Sequence, residues 1–168
     1  MTLNALREYF PDATLETWHQ HSYGGGWVQN TATVATTAFV GPDALVYGNA
    51  EVSGNAGVRD YAWVSGEAKV LDYARVSGEA SVSGNARVSG HAEVTGHACV
   101  YGNSWVYGNT VVLDYARVSG RGSISGNARV LGDAWVSGDA QVFGNAEVSG
   151  HVLVYGNSEV SGDARVSE

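Results

Sequence analysis

The chain has 168 residues, enough for one domain of ordinary size, and a formal net charge of −8. Lys69 is the only lysine, beside eight arginines, so the sequence lacks the basic stripe that non-specific binding to nucleic acid requires. A single cysteine, Cys99, excludes an intrachain disulfide framework, and no apolar run approaches the roughly 18 residues of a membrane span. We therefore expect a cytoplasmic protein with neither nucleic acid nor membrane as a partner.

The first 26 residues precede a sequence repeat and are expected to cap one end of it. Leu3, Leu6 and Phe10 have the spacing of a helix face, and Pro11 would end that helix. The N-terminus contains no apolar segment of the kind found in secretory signal peptides.

The remainder of the chain repeats with a period of six. From Val28 to Val166 an aliphatic residue occupies every sixth position without an insertion, which gives 24 such positions. A small residue, usually alanine, stands two places earlier, so each segment alternates inward and outward as a short strand does. Of the 23 corners between strands, 17 carry glycine, which adopts positive φ freely. The pattern predicts an all-β solenoid over residues 27–168, whose strands stack on those of the next coil.

This unit resembles the repeat of the bacterial transferase hexapeptide-repeat family, which pairs an aliphatic residue with a small residue two places earlier. The resemblance covers residues 28–168, and the glycine-rich entry from Ser22 to Val28 is similar to the start of the repeat in uncharacterised members. It implies a single-stranded left-handed parallel β-helix, a β-solenoid of triangular section with about eight coils of 18 residues. The left hand is implied by the resemblance alone, since parallel crossovers are generally right-handed.

An 18-residue coil sorts the outward residues onto three faces, one of them rich in aromatic side chains. We expect this face, or the open strand edges of the C-terminal coil, to join copies of the chain, because exposed apolar patches and unpaired edges mark interaction surfaces. A lateral trimer or dimer and an end-to-end assembly are all open. Two alternatives also remain: residues 1–26 cover part of the face, or a sugar stacks on Trp63 or Trp135. The predicted interface residues are Trp27, Tyr47, Trp63, Tyr101, Trp135 and Tyr155.

The other two faces carry charged side chains at the same 18-residue spacing. Arg75 lies beside Glu93 on one face, and Glu51 lies beside Lys69 on the other, so we expect cross-strand ion pairs. The face with Lys69 also carries an aromatic pair, Trp105 and Tyr107, and Phe143 two coils on.

The histidines are candidates for chemistry. His91 and His97 occupy corner positions that elsewhere hold Asn, Asp or Glu, and being six residues apart they lie on different corners. We interpret them as corner residues, because functional groups with altered acidity are found in clefts rather than on open ridges. The spacing of His19 and His21 places both on one side of a strand, but a pair without a third ligand does not define a metal site, and none is assigned.

Two functions from different classes remain open. The first is a non-catalytic structural or interaction module that needs no cofactor, and the unbroken repeat favours it because nothing has been inserted to build a pocket. The second, implied by the resemblance, is an acyltransferase with an acetyl-coenzyme A type of donor, in which His91 or His97 would act as general base between subunits. Acyltransferases of that family generally add an extended loop and a C-terminal helix, and this sequence has neither after residue 28.

Overall fold

A computed structural model describes residues 1–168 as a three-sided parallel β-solenoid with a helix at its N-terminus, which confirms the predicted fold. Except for the first strand and the strands of the last coil, each strand pairs in parallel with the strand 18 residues further along, as Arg87 pairs with Trp105 and Val88 with Val106. The three sides of the solenoid are three sheets, called face A, face B and face C. The only helix, α1 (Leu3–Tyr9), is followed by strands numbered β1 to β25 in chain order. No helix has the length and apolar character needed to cross a membrane.

Face A is formed, in spatial order, by β1 (Trp18–Gln20), β2 (Trp27–Gln29), β5 (Leu45–Val46), β8 (Trp63–Val64), β11 (Ser81–Val82), β14 (Cys99–Val100), β17 (Arg117–Val118), β20 (Trp135–Val136) and β23 (Leu153–Val154). Face B is formed by β3 (Thr33–Val34), β6 (Glu51–Val52), β9 (Lys69–Val70), β12 (Arg87–Val88), β15 (Trp105–Val106), β18 (Ser123–Ile124), β21 (Gln141–Val142) and β24 (Glu159–Val160). Face C is formed by β4 (Phe39–Val40), β7 (Gly57–Val58), β10 (Arg75–Val76), β13 (Glu93–Val94), β16 (Val111–Val112), β19 (Arg129–Val130), β22 (Glu147–Val148) and β25 (Arg165–Val166).

The core is a column of valine side chains with alanine at the narrow positions two residues earlier. Val88 and Ala86 are both fully buried, and the same holds in nearly every coil. Burying one valine contributes about 1.5–3 kcal/mol in transfer terms, so the repeated column accounts for the stability of strands that are only two residues long.

Glycine makes the corners tight enough for coils to stack. Gly84 has φ of +67°, and a Cβ atom there would lie 3.0 Å from the backbone N and O of Gly102 in the next coil. Three corners replace this glycine with aspartate: Asp60, Asp72 and Asp114 have φ between 55° and 63°. The carboxylate of each accepts a hydrogen bond from the backbone N–H of the corner glycine one coil further on, at 3.0–3.1 Å. Aspartate is therefore tolerated at positive φ because its carboxylate accepts a hydrogen bond from the backbone N–H of the corner in the next coil. A glycine in the same position has no side chain that could accept it.

The N-terminal segment folds back over the first coils of face A. Thr2 caps α1 by accepting a hydrogen bond from Ala5 N–H, and the helix ends before Pro11 as predicted. After it, β1 runs antiparallel to β2 and covers the first strand edge of face A. The terminal amine of Met1 lies 2.8 Å from the Asp43 carboxylate and donates to the Pro42 carbonyl, which anchors the segment to the solenoid.

Candidate functional site

The two corner histidines lie on different corners of the solenoid, as the six-residue spacing predicts. His91 stacks on Tyr73 of the preceding coil, with ring centroids 5.0 Å apart and planes 9° from parallel. His97 stacks in the same way on Tyr115 of the following coil, at 4.8 Å and 6°. Its Nδ1 also lies 3.3 Å from the Glu79 carboxylate. Both rings are exposed. Because each contacts the corner residue 18 positions away, each belongs to a column of corner side chains that runs along an open ridge.

Other corner residues form columns of the same kind. His151 lies 3.3 Å from Asp133 on the corner that also carries His97. On the corner of His91, the amides of Asn109, Asn127 and Asn145 donate in series to the next residue along the column at 2.8–3.2 Å. The histidines therefore contact the neighbouring residues of their column as the asparagines and aspartates do. None of the five main surface depressions of the chain is lined by a histidine.

His19 and His21 do not converge on a common point. Nδ1 of the exposed His19 lies 2.7 Å from the Asn30 side chain. His21 is buried, and its Nε2 lies 3.0 Å from the Ala38 carbonyl oxygen. The structure contains no group of three or more His, Cys, Asp or Glu side chains that could hold a metal ion.

Face A is covered by the chain itself at its N-terminal end. Trp27 is only 3% exposed, and its indole N–H donates to the Met1 carbonyl at 3.1 Å. Phe10 of the N-terminal segment packs edge-on against Tyr47, with ring centroids 5.0 Å apart. Trp27 and Tyr47 therefore pack in a small internal cluster with Leu6 and Trp18, in which Trp27 is buried and Tyr47 is half-buried.

The exposed aromatic side chains of face A fall into two patches. The first contains Trp63, which is 42% exposed and lines a cleft of about 340 Å³ beneath the N-terminal segment with Met1, Tyr9, Asp43, Leu45, Tyr61 and Glu79. The second, called the tail patch, consists of Trp135, Leu153 and Tyr155, all exposed. Between the two patches, the positions equivalent to Trp63 and Trp135 hold Ser81, Cys99 and Arg117. The aromatic residue nearest to them on this face, Tyr101, is half-buried. The aromatic face predicted from the sequence is therefore discontinuous.

The tail patch adjoins the open strand edges of the C-terminal coil. In the preceding coil, the N–H groups of Trp135 and Ser137 donate to the carbonyls of Val152 and Val154 at 2.9 Å. The equivalent N–H groups of Leu153 and Tyr155 make no backbone hydrogen bond. Val166, which continues the core column, is 37% exposed. Unpaired strand edges and exposed apolar side chains thus occur together.

Comparison with known proteins supports a β-solenoid repeat. A family model described as the YdcK Beta solenoid repeat matches residues 124–138, which contain β18, β19 and β20. No curated protein and no solved structure matches the chain. The chain is thus a β-solenoid repeat protein.

Proposed function

We propose that this chain is a non-catalytic β-solenoid module that self-associates tail to tail through its C-terminal coil. The observation that carries the proposal is the coincidence of open strand edges with the tail patch of Trp135, Leu153 and Tyr155. An open edge offers a row of unpaired N–H and C=O groups to another strand. Pairing with a second copy satisfies these groups and shields the apolar side chains beside them.

The two ends of the solenoid differ, and this difference favours a closed dimer over a filament. At the N-terminal end, β1 already covers the edge of face A in antiparallel orientation. Head-to-tail stacking would require that segment to move, whereas two C-terminal coils can meet about a two-fold axis without rearrangement. In such a dimer both copies use the same surface for the contact. Because that surface is then fully used, the assembly stops at two chains. The β1–β2 pair shows that a coil edge of face A accepts an antiparallel strand.

The mass of the particle in solution tests the proposal. Light scattering at increasing concentration is expected to give a particle of twice the chain mass of 17.6 kDa. The double variant Leu153→Lys, Tyr155→Lys is expected to be a monomer, because it places four added positive charges within one two-fold interface. Trp63→Lys is the matched control, since Trp63 is exposed on the same face near the opposite end, and its dimer should persist.

Three results would contradict the tail-to-tail dimer. A wild-type monomer at every concentration removes self-association altogether. A dimer that survives the double variant excludes the tail as its contact. Dissociation caused by Trp63→Lys alone would assign the contact to the N-terminal patch and to a lateral assembly.

An acetyl-coenzyme A dependent acyltransferase is the competing function, and it rests on the resemblance to the hexapeptide-repeat family. It requires His91 or His97 to face a groove between subunits, whereas in the single chain both rings are exposed and stacked on tyrosines. Binding of acetyl-coenzyme A, together with acetyl transfer to an acceptor that is lost in His97→Ala or His91→Ala, would favour the enzyme. Replacement of the stacking partner, as in Tyr115→Ala, serves as a control for damage to the corner.

A further inference from the structure

Face B carries a shallow depression of about 510 Å³ around one exposed tryptophan. The depression spans the fifth to seventh of the eight coils, on a different face from the tail patch and away from the N-terminal segment. It is lined by Asn103, Trp105, Arg121, Ser123, Asp139 and Gln141. The lining thus combines one aromatic side chain with five polar side chains of four chemical types.

The strand register determines how Trp105 is placed. It pairs with Arg87 on one side and with Ser123 on the other. The Arg87 guanidinium lies over the ring, 5.4 Å from its centroid, and so occupies one face of the indole. The opposite face lies towards Ser123, whose small side chain leaves the depression open. Trp105 is 51% exposed and presents this free face as a flat apolar wall.

The polar side chains around this wall have hydrogen-bonding capacity to spare. The side-chain oxygen of Asn103 accepts from Asn85 at 3.2 Å, which leaves its own N–H groups free. The exposed amide of Gln141 makes no hydrogen bond within the chain. Arg121 and Asp139 lie 3.8 Å apart, so their charges balance while most of their donors and acceptors remain open. The depression is therefore polar, close to neutral and able both to donate and to accept.

We propose that this depression binds a neutral sugar ring of a glycan, stacked on Trp105. A pyranose has an apolar face of C–H groups, which fits an exposed indole, and a rim of hydroxyls that both donate and accept. The amide, guanidinium and carboxylate groups that would meet such a rim line the same depression as the indole. The balanced Arg121–Asp139 pair, in a chain of net charge −8, disfavours phosphate-bearing ligands. The shallow shape suits a ligand that remains partly in solvent as part of a longer chain.

Saturation-transfer NMR with defined sugars tests the site. The probes are methyl α-glucopyranoside, methyl β-galactopyranoside, N-acetylglucosamine and chitotriose, with glucuronic acid and adenosine monophosphate as charged counterparts. At least one neutral probe is expected to receive saturation at its ring C–H protons. Trp105→Ala should reduce this signal at least tenfold, and Gln141→Ala should weaken binding about 2- to 10-fold, as expected for loss of one hydrogen bond. The matched control is Trp63→Ala, an exposed tryptophan on face A outside the tail patch, which should bind as the wild type does.

The same measurements can overturn the proposal. Absence of saturation transfer to every neutral sugar contradicts it, and so does binding that persists in Trp105→Ala. Binding of adenosine monophosphate in preference to the sugars would reassign the depression to a flat aromatic ligand. Gln141 is exposed, so Gln141→Ala keeps the test valid even if Trp105→Ala fails to fold. The site is independent of the tail-to-tail contact, and a monomeric chain can be tested equally well.

Discussion

Thr110 carries a buried hydroxyl group whose removal is expected to stabilise the protein. It occupies a core position that holds alanine in most coils, it is fully buried, and its Oγ1 has no hydrogen-bond partner. Leaving a buried hydroxyl unsatisfied costs about 1–3 kcal/mol. Thr110→Val retains the shape of the side chain and replaces the hydroxyl by a methyl group. We expect its free energy of unfolding to rise by about 1–3 kcal/mol, or roughly 2–4 °C in melting temperature per kcal/mol for a chain of this size.

Ser104 provides the matched control for this prediction because it occupies the equivalent position one corner earlier. Its hydroxyl is also buried but donates to the Tyr101 carbonyl at 2.9 Å. Ser104→Ala should therefore lower the free energy of unfolding by about 0.5–1.5 kcal/mol. Urea denaturation followed by circular dichroism measures both variants. A Thr110→Val protein no more stable than the wild type would show that the hydroxyl is satisfied in solution, and the reasoning would fail.

Two further predictions concern the corners and the N-terminal anchor. Gly84→Ala should destabilise the protein by more than Gly156→Ala: both positions have positive φ, which costs about 1–2 kcal/mol for alanine, but only at Gly84 does the new Cβ meet the next coil. Urea denaturation of the two variants measures the difference, and equal losses would contradict the close approach of the coils. Asp43→Asn should weaken the ion pair with the Met1 amine and speed tryptic cleavage after Arg7 about two- to fivefold, since such partly exposed pairs contribute about 0.2–1 kcal/mol. Asp12→Asn, in the same segment but without an ion pair, is the control, and equal cleavage of the two variants would show that the anchor does not hold the segment.

The core was predictable from the sequence because one period determines it. A six-residue repeat of valine fixes which side chains point inward, and an 18-residue coil then fixes which outward residues become neighbours. The ion pairs Arg75–Glu93 and Lys69–Glu51 confirm this register. The stacking of Tyr73 on His91 follows from the same register. It could have been found from the sequence by pairing each corner residue with the one 18 positions away.

The position of the N-terminal segment was not predictable in detail, because it depends on contacts that no period encodes. Helical spacing predicted α1 but gave no information on where the helix would dock. Docking depends on the pairing of β1 with β2 and on the Met1–Asp43 contact, which joins residues 42 positions apart. As a result the sequence left open whether Trp27 and Tyr47 join copies of the chain or lie under residues 1–26, whereas the structure packs the N-terminal segment against both.

The 18-residue register also indicates which parts of the solenoid surface are available for binding. Along the corners and along face C, outward side chains commonly contact the residue 18 positions away, as Arg129 contacts Glu147 and Asn109 contacts Asn127. Such a contact uses part of the hydrogen-bonding capacity of its members and covers part of their apolar surface. Contacts of this kind are missing where Trp105 is followed by Ser123, and at β23, where the backbone N–H groups of Leu153 and Tyr155 are unpaired. Binding capacity in a solenoid is thus expected where columns are interrupted, and both the proposed sugar site and the proposed self-association contact lie at such interruptions.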